Sequence, residues 1–272
     1  MMEQQIITSD KNAVLKHIKG LSLRKNRIKH QQFTIEGLRI VEECFLHGGP
    51  IDHILYCDHI HQVQGGPHLL EKLKEKYPCH QTMDSLFLKI ADTETPQGII
   101  AVVEMKNHQL ESLDLEKKEN PFIVVLDEIQ DPGNLGTIIR TAEGAKTDAI
   151  ILTKGCVDPY NSKSIRATMG AIFHLPIIQS NNNEEWIYYL KANAVKLVAS
   201  TLETDKNHFQ LDYNNPIAMI IGNEARGIHP DILAQVDERV KIPILGKIES
   251  LNASVAAGIL IYQGIQGRFL KD

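Results

Sequence analysis

The chain has 272 residues, of which 43% are hydrophobic and 23% are charged, a composition that excludes a disordered chain and leaves room for two small domains. Its net charge of −5 gives no sign of a strongly basic nucleic-acid binder. It contains no apolar run of about 18 residues, and residues 1–5 lack an apolar signal region, so we expect a cytoplasmic protein without a membrane partner.

The first predicted element is a short amphipathic helix over residues 12–19, and it opens a segment of unbalanced charge. Residues 11–35 contain no acid. The cations of this segment are Lys11, Lys16, Lys19, Arg24, Lys25, Arg27 and Lys29, with His17 and His30 among them. Such a run is typical of a solvated helix face, but it would also suit a surface that follows nucleic-acid phosphates. The residues alone leave both interpretations open.

The rest of the first half alternates between strand and helix patterns. Strands are predicted at 33–37, 51–57 and 99–103, and helices at 37–46, 69–76 and 84–90. Asp84 is placed to cap the last of these helices. The alternation predicts a small α/β domain.

Cysteine and histidine spacing gives no support for a metal site. The four cysteines, Cys44, Cys57, Cys79 and Cys156, lack CxxC spacing, which favours reduced and mostly buried thiols. Histidines crowd the first half, as His53, His59, His61, His68 and His80, but no carboxylate or cysteine accompanies them in a ligand pattern. We therefore expect surface or capping histidines and no bound metal.

Residues 106–120 are the strongest candidate for a domain boundary. They are polar and charged, they lack apolar periodicity, and they end at Pro121. The prediction is a first domain over residues 1–105, a linker over 106–120 and a second domain over 121–272.

The second domain begins with a nearly continuous apolar run at 122–127, which is typical of a strand buried on both faces of a parallel sheet. Further strands are predicted at 149–152, 175–178, 195–199, 217–221 and 240–242, and helices at 134–145, 161–172, 184–193 and 230–236. The fold class is therefore α/β with a mostly parallel sheet. Ligands of such sheets bind beyond the C-terminal ends of the strands, where three polar clusters lie, at 127–140, 222–227 and 246–252.

The first polar cluster joins a buried strand to a helix. Asn134 is placed to cap that helix, and Arg140 lies about two turns further on. Because the helix around Arg140 is apolar and built from small residues, its guanidinium is expected to face a partner or a ligand phosphate. An ordinary ion pair would account for Arg140 as well.

The other two clusters also combine turn residues with polar side chains. Gly222 permits close backbone approach, and the carboxylate of Glu224 can accept hydrogen bonds from a ligand or hold an arginine. Ser250 and Asn252 stand at the start of a helix predicted over 253–270, where free N–H groups favour a polar or anionic group. An ordinary capped core helix, with the apolar stripe Val255, Ile259, Tyr262 and Ile265, would look the same.

Other chemistries lack their sequence signatures. No GxGxxG follows a strand, and GxxxxGK[ST], HExxH and GxSxG do not occur. Standard dinucleotide, Walker-type, zinc-protease and hydrolase sites are therefore not indicated. The residues by themselves predict a two-domain α/β protein with a polar ligand site near its C-terminus.

In this order and spacing, the three clusters resemble the three motifs of the SpoU/TrmH family of RNA ribose 2′-O-methyltransferases, in the SPOUT superfamily. The motifs are 131–142, 221–227 and 242–256, and the resemblance covers the whole of the second domain, residues 121–272. Residues 33–37 and 93–98 carry a weaker resemblance to the family's L30e-like substrate-binding domain.

The resemblance implies a C-terminal domain with a deep trefoil knot, a homodimer, and S-adenosylmethionine as cofactor. The cofactor-binding residues it implies are Thr201, Gly222, Ile242, Gly246 and Leu251. It places Arg140, Asn134, Glu224, Ser250 and Asn252 at the catalytic site, with Asn134 and Glu224 positioning Arg140 and the ribose. Arg140 would act as general base or, as we prefer because a guanidinium is hard to deprotonate, as phosphate anchor and electrostatic stabiliser.

The implied reaction is methylation of a ribose 2′-hydroxyl in structured RNA, most simply 23S ribosomal RNA. A tRNA substrate, base methylation and a non-catalytic RNA-binding or ribosome-assembly role are the alternatives. With the resemblance in hand, the basic segment is predicted to contact RNA through Lys11, Lys16, Arg24, Lys25, Arg27 and Lys29.

Overall fold

A computed structural model describes residues 6–269, with side chains as far as residue 266. The expectations for residues 1–5 and for the helix end at Leu270 lie outside this part. Contacts divide the chain into two units. The first holds the described residues up to Lys106 together with Tyr160–Phe173, and the second holds Asn107–Pro159 and the described residues from His174 onwards.

The elements of the first half are α1 (Ala13–Gly20), α2 (Arg24–His30), β1 (Gln32–Glu36), α3 (Leu38–Leu46), β2 (Ile51–Tyr56), α4 (Gly66–Lys74), β3 (Cys79–Gln81), α5 (Asp84–Phe87) and β4 (Ile99–Glu104). They form a mixed sheet of order β1-β4-β2-β3, in which β4 runs antiparallel to both neighbours and β2 pairs in parallel with β3. The predicted small α/β domain is observed, with β4 as its most deeply buried strand.

Two local predictions in this half differ from the structure. Helix α2 lies where only a basic run was recognised, because its residues show no apolar periodicity. Met83, not Asp84, is the N-cap residue of α5, and the Asp84 carboxylate instead accepts a hydrogen bond from the His59 N–H at 3.4 Å.

The elements of the second half are β5 (Phe122–Leu126), α6 (Pro132–Gly144), β6 (Ala149–Leu152), α7 (Ser162–Thr168), β7 (Ile177–Gln179), α8 (Asn183–Ala192), β8 (Lys196–Ser200), β9 (Ile217–Ile221), α9 (Pro230–Leu233), β10 (Glu238–Val240) and α10 (Ala253–Phe269). The six strands form a parallel sheet of order β10-β8-β9-β5-β6-β7. The helices of this half belong to the same unit as the sheet, except α7, which belongs to the first unit. The parallel α/β fold predicted from the apolar runs is confirmed, and the knot stays a prediction.

The segment predicted as a linker, residues 106–120, is partly ordered in 3-10 turns and contributes side chains to a core. Two 3-10 turns, Leu110–Leu113 and Leu115–Lys117, bury three leucines in the core of the second unit. Their apolar side chains are spaced for 3-10 turns rather than for an α-helix or a strand, so periodicity did not reveal them.

The strand order brings the C-terminal ends of β5, β8 and β9 together at one edge of the sheet, because β9 lies between the other two. Asp127, directly after β5, joins this edge to the neighbouring loops. It is buried, and its carboxylate accepts hydrogen bonds of 2.7 Å from the Thr153 hydroxyl and from the His229 N–H. Its own N–H donates to the Ile221 carbonyl at 2.8 Å. The loops that follow the strands are therefore anchored to one another through a single side chain.

The last helix, α10, packs on α6, and its Gly264 lies against β5. A Cβ atom at Gly264 would lie 2.5 Å from the Phe122 ring, so only glycine fits there. Three residues of the apolar stripe predicted for this helix point outwards instead, since Val255, Ile259 and Tyr262 are 52%, 37% and 55% exposed, and the fourth, Ile265, is partly buried.

The four cysteines are free thiols, and burial raises the pKa of Cys44 and of Cys57 to about 12. Both thiols therefore stay protonated at neutral pH. Among the described residues, no helix combines the length and the apolar character needed to cross a membrane.

Candidate active site

The three polar clusters meet in a chain of side-chain hydrogen bonds. The Asn134 amide donates to Oε1 of Glu224 at 2.6 Å, and the Asn252 amide donates to Oδ1 of Asn134 at 3.0 Å. The Asn252 oxygen in turn accepts from the N–H of Ser254 at 2.9 Å. A carboxylate only accepts and a backbone N–H only donates, so the two ends fix the orientation of both amides.

Asn134 reaches this position because a different residue caps α6. The helix begins at Pro132, and the Asp131 carboxylate accepts a 2.7 Å hydrogen bond from the Asn134 N–H. The prediction that Asn134 caps the helix is therefore wrong. Asp131 takes that role, and this leaves the Asn134 amide free to join Glu224 and Asn252.

Glu224 lies in a tight loop that Asn223 holds together. The Asn223 oxygen accepts from the N–H groups of Ala225 and Arg226 at 2.9 and 3.1 Å, and its amide donates to the Glu128 carbonyl at 2.9 Å. Its backbone exchanges two hydrogen bonds with Gly227. Sequence reasoning missed this buried residue, although its place between Gly222 and Glu224 marked it as part of the motif.

Gly222 permits the close approach that the sequence predicted, but the approaching backbone belongs to the same loop. A Cβ atom at Gly222 would lie 2.3 Å from the carbonyl carbon of Gly227. Gly227 itself has a φ of +69°, a conformation that favours glycine. The two glycines and Asn223 together set the direction in which Glu224 points.

Asn252 caps α10. Its side-chain oxygen accepts from the Ser254 N–H at 2.9 Å, from the Ser254 hydroxyl at 2.7 Å and from the Val255 N–H at 3.4 Å. Ser250 lies in the preceding exposed loop, and its hydroxyl makes no hydrogen bond with the described part of the chain. Asn252 is thus fixed by the helix, whereas Ser250 is open to a ligand.

Arg140 lies outside this network. It lies six positions after Asn134, so the two side chains leave α6 about 120° apart around the helix axis. Its guanidinium is exposed and has no hydrogen-bond or ion-pair partner within residues 6–269. The expectation that Asn134 and Glu224 position Arg140 is therefore not met within one chain, because Glu224 is bonded to Asn134 instead. Its catalytic role stays a prediction.

Beside the network, the loops after β8, β9 and β10 enclose a cavity of about 430 Å³. Four of the five predicted cofactor residues line it, namely Thr201, Gly222, Ile242 and Leu251. Glu224 and Ser250 line it as well, so the network and the cavity share a wall. Gly246 is not among the lining residues and lies in an exposed loop next to Leu245, so its role stays a prediction.

The charged walls of the cavity carry an excess of acid. Glu203, Glu224 and Glu249 line it together with only two cations, Arg226 and Lys241. Arg226 reaches Glu128 at 3.5 Å, and Lys241 reaches Asp205 at 3.8 Å, so both cations already face acids. Small residues, Ala253 and Ala256 among them, leave the backbone accessible. The cavity is suited to a polar ligand that carries positive charge.

Strand β10 pairs with β8 at the edge of the sheet, and two lysines also contact its Glu238. Oε1 of Glu238 lies 2.6 Å from Nζ of Lys196, and its other oxygen contacts Nζ of Lys206. Hydrogen bonds from Lys196 and Lys206 lower the pKa of Glu238, and the same contact raises the pKa of Lys196. This ion pair fixes β10, whose end leads to Lys241 and Ile242 in the cavity wall.

The structure divides the predicted RNA-binding cations into two groups. Five of them are exposed, namely Lys11, Lys16, Arg24, Lys25 and Lys29. Arg27 is only 5% exposed, and its guanidinium donates to the carbonyls of Leu21 and Ser22 at 2.8 Å. The assignment of Arg27 to RNA is therefore corrected, because this side chain fixes the turn between α1 and α2.

The family model described as the SpoU rRNA Methylase family matches residues 121–262, which is more than half of the chain. The chain belongs to the SpoU rRNA methylase family. A model described as the MRM3-like substrate binding domain matches residues 12–101. The family resemblance drawn from the three motifs is thereby confirmed.

Individual members of the SpoU family resemble the chain over nearly its whole length. It is 35% identical to the 23S rRNA (guanosine(2553)-2′-O)-methyltransferase RlmP of Bacillus subtilis, over 94% of this chain and 97% of that protein. It is 27% identical to the 23S rRNA (uridine(2479)-2′-O)-methyltransferase of Streptomyces viridochromogenes, over 91% and 87%. The AdoMet-bound rRNA methyltransferase of Sinorhizobium meliloti superposes with a TM-score of 0.86 and 29% identity, over 96% of this chain and 97% of that one.

Proposed function

We propose that this SpoU family member transfers the methyl group of S-adenosylmethionine to a ribose 2′-hydroxyl of ribosomal RNA, with 23S RNA as the substrate. The observation that carries the proposal is the hydrogen-bonded chain of Glu224, Asn134 and Asn252 at the wall of the cavity. The enzyme class agrees with the family and with relatives named as rRNA 2′-O-methyltransferases.

The cavity fits S-adenosylmethionine. The sulfonium and the α-amino group of this cofactor are cationic, which suits the excess of acid in the walls. The adenosine needs polar contacts at a close distance, which exposed backbone and small side chains provide. When bound, the cofactor supplies an electrophilic methyl group. AdoMet-bound relatives of the same fold, from Sinorhizobium meliloti and Streptomyces viridochromogenes, support the assignment.

The residues of the network would orient the acceptor ribose. Oε1 of Glu224 is held by Asn134, whereas its other oxygen has no hydrogen-bond partner among the described residues. Glu224 and Ser250 line the same cavity. The free carboxylate oxygen can accept a hydrogen bond from a ribose hydroxyl, and the Ser250 hydroxyl can accept or donate one. Alignment of the hydroxyl is the main contribution such groups can make to methyl transfer.

Arg140 is the proposed anchor for an RNA phosphate. A guanidinium binds phosphate in a bidentate manner, and that of Arg140 is exposed without a partner in the described chain. Because a guanidinium stays charged, it would stabilise negative charge at the reacting oxygen more readily than remove a proton.

A homodimer is proposed in which a second copy of the chain packs on the exposed face formed by α10 and α6. Val255, Ile259 and Tyr262 form an outward apolar stripe on α10, and the Tyr262 hydroxyl lies over Gly144 of α6. Exposed apolar stripes of this kind mark contact surfaces. Arg140 is also exposed on α6, so a homodimer formed here would hold Arg140 close to the interface.

RNA binding by the first unit completes the proposal. Exposed cations on and around α1 and α2 supply phosphate contacts, at Lys11, Lys16, Arg24, Lys25 and Lys29. The match to a substrate binding domain over residues 12–101 supports this role. The assignment of residues 1–105 to RNA binding and of 121–272 to methyl transfer, and a cytoplasmic location, remain predictions.

Incubation with radiolabelled S-adenosylmethionine and separated RNA fractions from a deletion strain tests the proposal. We expect label in 23S RNA and its loss with Arg140→Ala. Label in tRNA instead would contradict the substrate assignment. RNA binding without transfer would contradict the enzymatic function and favour an assembly role.

A further inference from the structure

A short segment from the second half of the chain completes a groove on the first unit. The segment Tyr160–Phe173, which holds α7, lies outside the range of the substrate binding domain match, yet Tyr160 and Ile165 pack in the core of the first unit. The Tyr160 ring lies 4.8 Å from the ring of Phe33, and its hydroxyl donates to the Lys106 carbonyl at 3.2 Å. The position of α7 on this unit is therefore fixed by buried contacts.

The groove consists of two adjoining cavities, of about 170 and 220 Å³, that share Glu36, Ile40 and Arg166. Arg166, on α7, is half-buried and has no hydrogen-bond or ion-pair partner among residues 6–269. A partly buried guanidinium normally has a partner, so its absence here indicates a ligand group.

The charge of the groove is positive. Arg39, Arg166, Lys19 and Lys89 line it, and the charged side-chain group of each has no hydrogen-bond or ion-pair partner in the described part of the chain. The acids in its walls are Glu36 and Asp92. Both carboxylate oxygens of Glu36 already accept hydrogen bonds, one from the Asp92 N–H at 2.7 Å and the other from the Thr93 hydroxyl. The groove therefore suits an anionic ligand.

One wall of the groove is apolar and closely packed. Met169 has a φ of +51°, which a side chain other than glycine rarely adopts, and its side chain is 44% exposed towards solvent. The next residue, Gly170, is packed so closely that a Cβ atom would lie 2.5 Å from Cγ of Glu43. Met169 adopts this conformation because it ends helix α7, and its apolar side chain forms part of the cavity wall.

We propose that this groove binds an unpaired nucleotide of the RNA substrate, with its phosphate at Arg166 and Arg39 and its base against Ile40 and Met169. Unpaired bases are recognised by stacking on guanidinium planes and apolar side chains, and their phosphates by arginine. The amide nitrogen of Gln97, also in the wall, has no partner in the described chain and is free to donate to a base, since only its oxygen is used, by the Leu38 N–H at 2.7 Å. This inference rests on the proposed action on RNA.

The test compares three variants in the full-length protein. Arg166→Ala removes the phosphate contact, and Met169→Gly removes the apolar wall while relieving the backbone strain, so it does not depend on a damaged fold. Lys163→Ala is the matched control, because Lys163 is an exposed cation on the same helix outside the groove. Binding of a fluorescent RNA stem-loop and of the corresponding blunt duplex is measured across a salt series.

We expect Arg166→Ala and Met169→Gly to weaken stem-loop binding about tenfold, and Arg166→Ala to reduce the salt slope by about one. Lys163→Ala and duplex binding should change little. Equal effects of Arg166→Ala and Lys163→Ala, or no effect of Met169→Gly, would overturn the inference. Methyl transfer to ribosomal RNA is measured in the same preparations. Wild-type protein that binds the stem-loop without transferring a methyl group would contradict the proposed function but not the proposed binding of a nucleotide in the groove.

Discussion

The amide nitrogen of Asn134 lies 2.6 Å from a carboxylate oxygen of Glu224, although 90 positions separate the two residues in the chain. One stands in the first turn of α6, and the other in the loop after β9. Strands β5 and β9 are neighbours in the sheet, so the segments that follow them emerge side by side. This contact fixes one carboxylate oxygen and leaves the other for a ligand.

The Asn134–Glu224 contact predicts a strong effect of Asn134→Asp. The new carboxylate is nearly isosteric but cannot donate, and it would place two like charges in contact. We expect methyl transfer to fall about a hundredfold, because the ribose loses its alignment, with cofactor affinity little changed.

Asp131→Asn is the control, because asparagine caps helices as well as aspartate does. Single-turnover kinetics with both variants decide the matter. Equal rates for the two would show that the contact has no part in the reaction.

The glycines of the cavity loops should differ sharply in their tolerance of alanine. Gly222→Ala forces a Cβ atom against Gly227 and should cost about 1–3 kcal/mol of folding free energy together with cofactor affinity. Gly246→Ala meets no atom within 4 Å and should leave the structure intact. Thermal unfolding and calorimetric titration with S-adenosylmethionine measure both effects. Loss of affinity in Gly246→Ala, with stability unchanged, would restore the predicted cofactor contact of this residue.

Two arginines of the basic segment should separate stability from RNA binding. Arg27→Ala removes hydrogen bonds to two carbonyls and should lower the free energy of unfolding by about 1.5–3 kcal/mol. Arg24→Ala, at an exposed position, should leave unfolding unchanged and reduce the salt dependence of RNA binding by about one phosphate contact. Urea unfolding and salt-dependent binding are the measurements. The reverse pattern would contradict the burial of Arg27.

The sequence predicted most of the second unit for a simple physical reason. Strands β5 and β9 are buried on both faces, so their residues are continuously apolar, and the polar residues that follow mark their ends. The same reasoning placed Glu224 and Asn252 at one edge of the sheet. It could not show that Asn134 joins them, because Asp131 and Asn134 are both good capping residues and only the structure shows which of them caps.

A run of charged residues indicates which side chains are exposed less reliably than apolar periodicity does. Arg27 was grouped with its neighbours because the basic segment was treated as a surface, and helix α2, which turns Arg27 inwards, carries no apolar pattern. The leucines of Leu110–Leu113 and Leu115–Lys117 were missed for a related reason, because short 3-10 turns bury side chains without a helical repeat. The identity of the cofactor came from the motif resemblance and not from these patterns.

The ion pair of Glu238 predicts a loss of stability in acid. Lys196 and Lys206 lower the pKa of this carboxyl in the folded state, so its contribution is present above the unfolded pKa of about 4.3 and is lost as the pH falls through the lower folded value. Because the partners are partly exposed, added salt should weaken the effect.

Glu238→Gln should be less stable than wild type at neutral pH, and the difference should disappear in acid. Urea unfolding over this pH range gives the comparison. Parallel curves for the two proteins would show that Glu238 does not contribute in this way.

The exposed stripe on α10 predicts the oligomeric state. Tyr262→Glu should give a monomer, because it would bury a charge in an apolar interface. Tyr188→Glu is the matched control, since Tyr188 is an exposed tyrosine on α8. Sedimentation velocity over a concentration series distinguishes the two. A wild-type monomer at all concentrations, or dissociation by both variants, would count against a dimer formed through α10.

Nucleoside analysis of methylated RNA shows whether the protein transfers a methyl group to the ribose. Ribosomal RNA from a deletion strain is incubated with the purified protein and isotopically labelled S-adenosylmethionine, digested to nucleosides and examined by mass spectrometry. The account predicts label in a 2′-O-methylated nucleoside, and no label when Asn134→Asp replaces the wild type. Label on a base, or bound cofactor without any transfer to RNA, would contradict it.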